Sequence, residues 1–590
     1  MFGLPQLAIG EVETTGADDN FSLAVDTTAI TAWTPRHLLF HIRTKQATGN
    51  LPVIGLQFNG DTGNSYMWFH SKGSGTSTAD VNTWAGGTIS DNTIRTGRME
   101  IGYAQETNWT HVIGIVVDAF STRGIKHITW LSYSPEESGT TGHVFHGVGK
   151  WDSTAAVTSV QLDAAENVDA GSRIELAVVD EAYNIDETIL ASNASSKSAI
   201  DANDGAFNTN NTGAISGENG DLCMVGNFRI YQENSSFIAY NDSFNDYSSP
   251  TYWYSRKYNQ RTWVGGEADD HPRIGHAAHS TTYAAGQPYE AYEFHPNITL
   301  IPDYATGTHD RGSVTWSAQM DAYVSGFAQY AQTTLYNTRW NNTAAITEWQ
   351  IDSTYHITDW EVNSMCSFYK VTDSYNLIER KQITSDTAYF DVTIPNTYDH
   401  LEITWTARSD VAGAGSILLG EMTQYLGDSG GVDTTDSNYA SRVYRHQGVD
   451  NPATTTTGSY TRGANMGLVA TTDADADVFS TGWNMIFDYN EAVHKTSIGV
   501  GGVVENADAY ASMGMYAYSW HDNDAVTTLR IQATSGDLVA GSVFTIRGVQ
   551  ASLPASGPDD VKKVQGIAAA SLKKVNTIAI ADVKKLNSIA

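Results

Sequence analysis

The chain has 590 residues, enough for several cores, and its 41% hydrophobic content is ordinary for globular protein. Charged residues make up only 17%, and 34 basic against 66 acidic residues leave a net charge of −32. That balance argues against phosphate-backbone binding, so nucleic acid is not an expected partner. The two cysteines, Cys223 and Cys366, cannot build a disulfide framework, and no apolar run is long enough to offer a membrane-spanning helix.

The chain opens with MFGLPQLAIGEVE, which has neither a basic n-region nor an apolar h-region, so no secretion signal is expected. Short apolar or alternating runs follow, such as HLLFHI from His37, VIGLQF from Val53, YMWFH from Tyr66 and HVIGIVV from His111, separated by Gly, Asn, Asp and Ser. Many short strands with polar turns predict an antiparallel sandwich or jelly roll.

The segment WDSTAAVTSVQL from Trp151 recurs as WNNTAAITEWQI from Trp340 and WHDNDAVTTLRI from Trp520, 189 and 180 positions apart. A period that long suits whole domains in tandem. Alternation places Ala156, Thr158, Val160 and Leu162 on one side of a strand, with Ala345, Thr347, Trp349 and Ile351, and Ala525, Thr527, Leu529 and Ile531 as counterparts. A second matched strand follows each, with Ile174/Leu176, Cys366/Phe368 and Phe544/Ile546 inward; Cys366 is read as a buried thiol.

Three domains are therefore expected, at 1–180, 181–371 and 372–550. The third lays onto the first: His400-Leu401-Glu402-Ile403 matches His37-Leu38-Leu39-Phe40, the turn Gly427-Asp428-Ser429-Gly430 matches Gly60-Asp61-Thr62-Gly63, and Phe487-Asp488-Tyr489 answers Val117-Asp118-Ala119. The aromatic-rich middle domain matches only in its last two strands, and its front half reads as different. The exits Glu181-Ala182-Tyr183-Asn184-Ile185 and Asp373-Ser374-Tyr375-Asn376-Leu377 look like equivalent linkers.

A Pro/Gly/Ser hinge at 551–560 leads into an 11-residue repeat at 561–590, with large apolar residues at Val561, Val564, Ile567, Leu572, Val575, Ile578, Val583, Leu586 and Ile589. Six lysines against Asp582 make it basic. The hendecad period suits a right-handed helical bundle, whereas Gly566, Asn576, Asn587 and the β-branched residues suit short turns and strands; both readings stand. Thirty residues cannot bury nine such side chains alone, so the tail should pair with copies of itself, a trimer first, or dock on another protein.

The run LQFNGDTGNSYMW, the elements around VDAF and AVTSVQL, the ending GSVFTIRGV and the KKVxxIA tail together resemble the jelly-roll modules and C-terminal extensions of tailed-bacteriophage virion proteins. The resemblance covers the first and third domains and the tail, and the middle domain only through its last strands. It implies a non-enzymatic structural protein, assembled in the host cytoplasm into the virion, with other virion proteins as partners. A tail-associated fibre or appendage comes first and a capsid decoration or head fibre second; a secreted adhesin or glycan-active enzyme is a weaker alternative. Host glycan is a candidate ligand, with Tyr66, Trp68, Tyr252, Trp253 and Tyr254 as candidate stacking residues, set against core or interface packing.

No catalytic, metal or cofactor site is expected. Gly427-Asp428-Ser429-Gly430-Gly431 looks like a serine-protease nucleophile signature and Ala277-Ala278-His279 like its histidine segment, but they fall in different copies, and the first copy has a plain Gly60-Asp61-Thr62-Gly63 turn at the matching place. Asp269, Asp270, His271, His276 and His279 fit no zinc spacing, and Asp473, Asp475 and Asp477 lack the Gly and Glu of a calcium loop.

Overall fold

The structure is a computed structural model. It describes residues 1–28, 30, 33–47, 53–63, 65–74, 81–85, 98–105, 108–135, 142–189, 207–208, 215–231, 239–245, 252–258, 261–265, 273–276, 278–280, 295–319, 332–353, 359–360, 364–412, 419–447, 459–460, 464–504, 511–550, 563–564 and 567–568. Strands dominate, and no α-helix occurs among the described residues.

Antiparallel sheets pair into three β-sandwiches. In the first, an eight-stranded sheet runs in the order Gln6–Glu13, Arg173–Val179, Leu38–Thr44, Thr110–Val117, Lys126–Ser134, His143–Trp151, Tyr66–Ser74, Val81–Ala85. It faces a four-stranded sheet of Asp18–Ala24, Ser159–Val168, Val53–Phe58 and Met99–Tyr103.

The third sandwich repeats this order: Leu377–Gln382, Val543–Val549, His400–Ala407, Ser480–Phe487, Lys495–Val504, Ala511–Trp520, Tyr439–Gln447, Ser459–Tyr460. So does the second: Asn184–Ile189, Met365–Thr372, Gly220–Tyr231, His295–Ile301, Arg311–Gln319, Gln332–Trp340, Tyr252–Tyr258, Arg261–Gly265. The front half of the middle copy is thus not a different structure. Its topology is kept while its residues have drifted; even the parallel pairing of Ala278–Ser280 with the end of Gly220–Tyr231 has a counterpart in the parallel bridge of Arg408 and Ala470 in the third copy.

Even an irregularity is repeated. The edge strand of each large sheet skips one residue in its register, at Ile9, Ile185 and Ile378, a β-bulge in all three copies. In that register Ile185 answers Ile378, one position on from the linker match expected from sequence.

The repeated Trp segment also corrects the expected strand phase. Val160 and Leu162, Trp349 and Ile351, and Leu529 and Ile531 are buried as expected, but the strand begins only near Ser159, Trp349 or Thr528. Before it the chain is a turn, in which Val157, Ile346 and Val526 are buried and Thr158, Thr347 and Thr527 are exposed. The cause is hydrogen bonding: Asn59 Oδ1, on a backbone with φ 55°, accepts from Thr158 N–H at 2.7 Å and Ser159 N–H at 3.1 Å. Asn245, with φ 56°, does the same for Thr347 and Glu348 at 2.7 and 3.0 Å.

Alternate residues of each large sheet face opposite ways, and both faces are covered. Phe40 and Ile42 pack into their own sandwich against Leu56 and Leu162. Leu39, Ile113 and Leu131 face a central core shared with Val225, Leu300 and Trp316 of the second sandwich and Trp483, Met485 and Met515 of the third. Strands covered on both sides read as unbroken apolar runs, which is why HVIGIVV lacks alternation.

Residues 1–4 fill this shared core. Phe2 stacks on Trp483 with centroids 5.6 Å apart and meets Trp316 edge-on at 5.4 Å. Gly3 N–H donates to Glu402 Oε1 at 2.8 Å, and Cys223 Sγ donates to the Gly3 carbonyl at 3.1 Å. Gly3 has φ 75°, and a Cβ there would lie 2.6 Å from Leu300, so a side chain has neither the backbone nor the room.

Candidate functional site

The three sandwiches close on one another in a cycle, and each joint is built from the same positions. His37, Asp221 and His400 occupy equivalent places beside Val179, Val371 and Val549. Each receives the backbone N–H of an aspartate in the left-handed region: Asp118 to His37 Nδ1 at 3.2 Å, Asp303 to Asp221 Oδ1 at 3.0 Å, Asp488 to His400 Nδ1 at 3.0 Å. These aspartates have φ 52°, 51° and 52°. A buried cation a few residues on, Lys126, Arg311 or Lys495, donates to carbonyls of the same region and pairs in register with Trp151, Trp340 or Trp520. Burial lowers Lys126 and Lys495 to about 8.

The far end of the His37, Asp221 or His400 side chain faces the next sandwich. His37 meets Tyr369 edge-on, with centroids 6.5 Å apart. Asp221 Oδ2 accepts from Thr404 Oγ1 at 2.7 Å and Arg547 Nη1 at 2.5 Å. His400 Nε2 reaches Glu175 Oε2 at 2.8 Å. First to second, second to third, third to first: three heterologous contacts close a quasi-threefold ring within one chain.

The joint between the third and first sandwiches carries most of the buried charge. His41 Nδ1 lies 2.7 Å from Glu175 Oε2, and His41 Nε2 lies 3.0 Å from His111 Nδ1. Phe487 stacks on both imidazoles with centroids 4.7 Å away. Asp488 is held by Arg43 at 2.8 Å and Arg173 at 2.5 Å; Glu491 takes a second bond from each, and Arg173 Nε pairs with Glu175 Oε1 at 2.6 Å.

One proton assignment satisfies every contact. Burial alone would raise Glu175 and Asp488, but His400, His41 and Arg173 hold Glu175, and Arg43 and Arg173 hold Asp488, well below the usual carboxylate range, so both are charged. Glu175 Oε2 then accepts from His400 Nε2–H and His41 Nδ1–H. Burial favours a neutral His41, and on a neutral ring Nε2 accepts from His111 Nδ1–H, which leaves His111 Nε2 bare, and that atom has no hydrogen-bond partner among the described residues. All three rings are neutral, and burial lowers His41 and His111 accordingly. At His400 the Glu175 and Asp488 carboxylates outweigh burial and draw the value up. The Asp488 N–H aimed at Nδ1 nevertheless denies that ring a second proton.

His41, Glu175 and His400 bring ligand-type atoms within 4.8 Å of one another, a donor set that zinc or iron accepts. It does not fit a metal here. A metal on His400 Nε2 needs that nitrogen's lone pair while Nδ1 already accepts the Asp488 N–H, so the ring would have to be an imidazolate. The cluster is a hydrogen-bonded interface.

Of the residues expected to touch glycan, Tyr66 and Trp68 are buried in the first sandwich core. The Tyr66 hydroxyl accepts from Phe58 N–H at 2.8 Å, a bond repeated by Tyr439 and Leu426 at 2.9 Å. This is a core brace that no ligand reaches, which corrects the expectation for both residues. Tyr252, Trp253 and Tyr254 lie on the strand Tyr252–Tyr258, and their side chains are outside the described residues. Cys366 and Cys223 are buried.

In the tail, Lys563–Val564 pairs with Ile567–Ala568 as two short strands. The remaining tail positions Val561, Leu572, Val575, Ile578, Val583, Leu586 and Ile589 lie outside the described residues. The Gly427–Gly430 segment is a turn closed by Asp428 Oδ1 accepting Gly430 N–H at 2.7 Å, matching Asp61 and Gly63 at 2.8 Å. Asp61 also accepts Trp151 Nε1–H at 2.8 Å; in the third sandwich that task passes to Asp433, which takes Trp520 Nε1–H at 2.9 Å. The Asp473 to Asp477 loop is tied down through the Ala474 carbonyl, which accepts Arg408 Nη2–H at 2.9 Å.

Sequence reading matched His37 with His400 and Asp118 with Asp488 but gave them no role, and it missed Asp221 and Asp303. A signal was present: Asp118-Ala119 to Lys126, Asp303-Tyr304 to Arg311 and Asp488-Tyr489 to Lys495 share an Asp followed seven or eight positions later by a cation.

No family model matches the chain, and no curated protein matches it. Solved structures found to be similar include domains LG4-5 of the mouse laminin α1 chain, at 7% identity over 58% of this chain and 88% of that one, with TM-score 0.10. A bacterial polysaccharide outer membrane secretin is 7% identical over 78% of this chain and 98% of its own, with TM-score 0.11. The Vibrio cholerae outer membrane protein OmpT lacking loop L8 is 7% identical over 85% and 100%, with TM-score 0.08. Scores this low carry no argument about fold or function.

Proposed function

We propose that the chain is a structural component of a bacteriophage virion, first a tail-associated fibre or appendage. The observation that supports this reading best is that the residues recurring in all three copies serve the joints between copies. His37, Asp221 and His400, and the aspartates that cap them, brace one sandwich against the next. A repeated module whose shared polar residues sit at its own interfaces has the character of a rigid building block. The resemblance of the LQFNGDTGNSYMW and KKVxxIA segments to phage virion proteins points the same way. The basic tail then docks the acidic body on another virion protein or on copies of itself. Tyr252, Trp253 and Tyr254 remain the candidates for host glycan contact.

A second reading, capsid decoration or head fibre, is favoured by the quasi-threefold closure, which suits a threefold position on a closed shell. Negative-stain imaging of particles labelled with antibody to the second sandwich tests both. Label at the tail is the expected result, label over the shell favours the second reading, and unlabelled particles from a phage that encodes the chain would overturn both.

A further inference from the structure

The three joints differ in one covalent respect. Residues 180–184 tie the first sandwich to the second and residues 372–377 tie the second to the third, while the third and first have the whole second sandwich between them in sequence. Their joint is the one contact in the ring that can part without moving a linker. It is also where imidazoles from two sandwiches meet buried carboxylates. We propose that this joint is a proton-operated clasp: neutral His41 and His111 keep the third sandwich seated on the first, and their protonation releases it, opening the ring while the two linked joints stay closed.

The hydrogen-bond chain explains why a proton breaks the joint. It runs one way, from His111 Nδ1–H to His41 Nε2, from His41 Nδ1–H to Glu175 Oε2, and from the Asp488 N–H through His400 to the same oxygen. A second proton on His41 would either point at the His111 Nδ1–H or force that ring's proton onto Nε2, where no acceptor waits among the described residues. A second proton on His111 would sit on Nε2, where no acceptor waits among the described residues.

The charged groups facing this chain come from every element packed around it. Arg43 is on the His41 strand, Arg173 and Glu175 are on the neighbouring strand, and Glu11 and Glu13 are on the edge strand. Asp488, Glu491 and Lys495 lie on the opposing hairpin, with Asp399 ahead of His400. Arg43 and Arg173 already pair with Asp488 and Glu175 at the dry centre, and Glu11, Glu13 and Glu491 lie at its partly exposed rim, so an imidazolium there must be desolvated without a free buried carboxylate to meet it. Phe487 offers both rings a π face, an attraction smaller than the cost of burying a charge.

The sign follows from linkage. His41 and His111 titrate lower in the closed joint than free imidazole does. The closed form is therefore favoured fully above pH of about 6.5 and loses up to about tenfold per imidazole for each pH unit below it, or about 100-fold for both. His400 carries no second proton in the closed joint and does not offset this. Glu175 and Asp488 are held low and add to the loss only below pH of about 4.

Spin-label distances on the full chain test the clasp. One pair joins Ala17→Cys in the first sandwich to Asn523→Cys in the third, and a control pair joins Ala17→Cys to Glu218→Cys in the second; all three positions are exposed. The 17–523 distances should be narrow at pH 7.5 and gain a longer population below pH 6.5, reversibly; burial lowers His37 and His127 at the first-to-second joint as well, but residues 180–184 tether that joint, so the 17–218 distances stay narrow. A 17–523 distribution unchanged down to pH 5, or both pairs broadening together, would overturn the proposal. The double variant His41→Gln, His111→Gln should keep the 17–523 pair narrow to pH 5. Imidazole NMR on the unmodified chain covers the case where that variant does not fold. It should show His41 and His111 as Nδ1–H tautomers and His400 as Nε2–H at pH 7.5, and a doubly protonated His41 or His111 in the closed joint would refute the clasp.

Discussion

The joint from second to third sandwich and the joint from third to first use the same scaffold positions in opposite ways. At the first of these, Arg547 is fully buried on one carboxylate, Asp221, with the Val371 carbonyl at 3.3 Å as its other close partner. At the second, Arg43 and Arg173 share Asp488 and Glu491 and Arg173 also takes Glu175, with Glu11 and Glu13 at the margin. The lesson is redundancy. A linker holds the second and third sandwiches together, and two separate pairs, Arg547 with Asp221 and Arg380 with Asp303, set their register. The unlinked joint is carried by a network in which several carboxylates stand behind each guanidinium.

Breaking each network at its central aspartate exposes that difference. Asp221→Asn strands Arg547 in the core and should cost about 3–5 kcal/mol in chemical denaturation. Adding Arg547→Met to it should recover most of the loss, because an apolar residue of similar volume needs no partner. Asp488→Asn leaves Glu491 on both arginines and Glu175 on Arg173, so its loss should be smaller, about 1–3 kcal/mol. Equal losses at the two sites would remove the distinction.

The smallest effect sharpens the comparison of copies rather than of joints. Asn59→Ala and Asn245→Ala each remove the amide that organises the turn before the repeated strand and leave in the left-handed region a residue without the polar side chain that eases it. Each should cost about 1–2 kcal/mol, and by similar amounts, if the first and second sandwiches are true repeats. A marked difference between the two would show that one turn is held by other means.

Much of this was legible in the residues. The Trp segment exposed three copies because Trp151, Trp340 and Trp520 sit at a strand end next to a buried cation, a site that tolerates little change. His37 and His400 aligned for a similar reason. The counterpart Asp221 did not, because a carboxylate accepts the same backbone N–H that an imidazole nitrogen does, so the chemistry was kept while the letter changed. The central core was illegible because strands covered on both faces lose the alternation that marks a side. For Tyr66 and Trp68 the residues alone leave glycan stacking and core packing both open, and the core reading holds, since both are buried and the Tyr66 hydroxyl is used by the backbone of Phe58. Nothing about Phe2 or Gly3 announces a plug, since their partners Trp316, Trp483 and Glu402 lie hundreds of residues away.

Small-angle X-ray scattering of the whole chain at neutral pH tests the closed ring most directly. Three sandwiches sharing one core predict a radius of gyration near that of a compact 590-residue protein, about 25 Å, with a single-peaked distance distribution. A markedly larger radius, with separate maxima at the spacing of beads on a string, would contradict it.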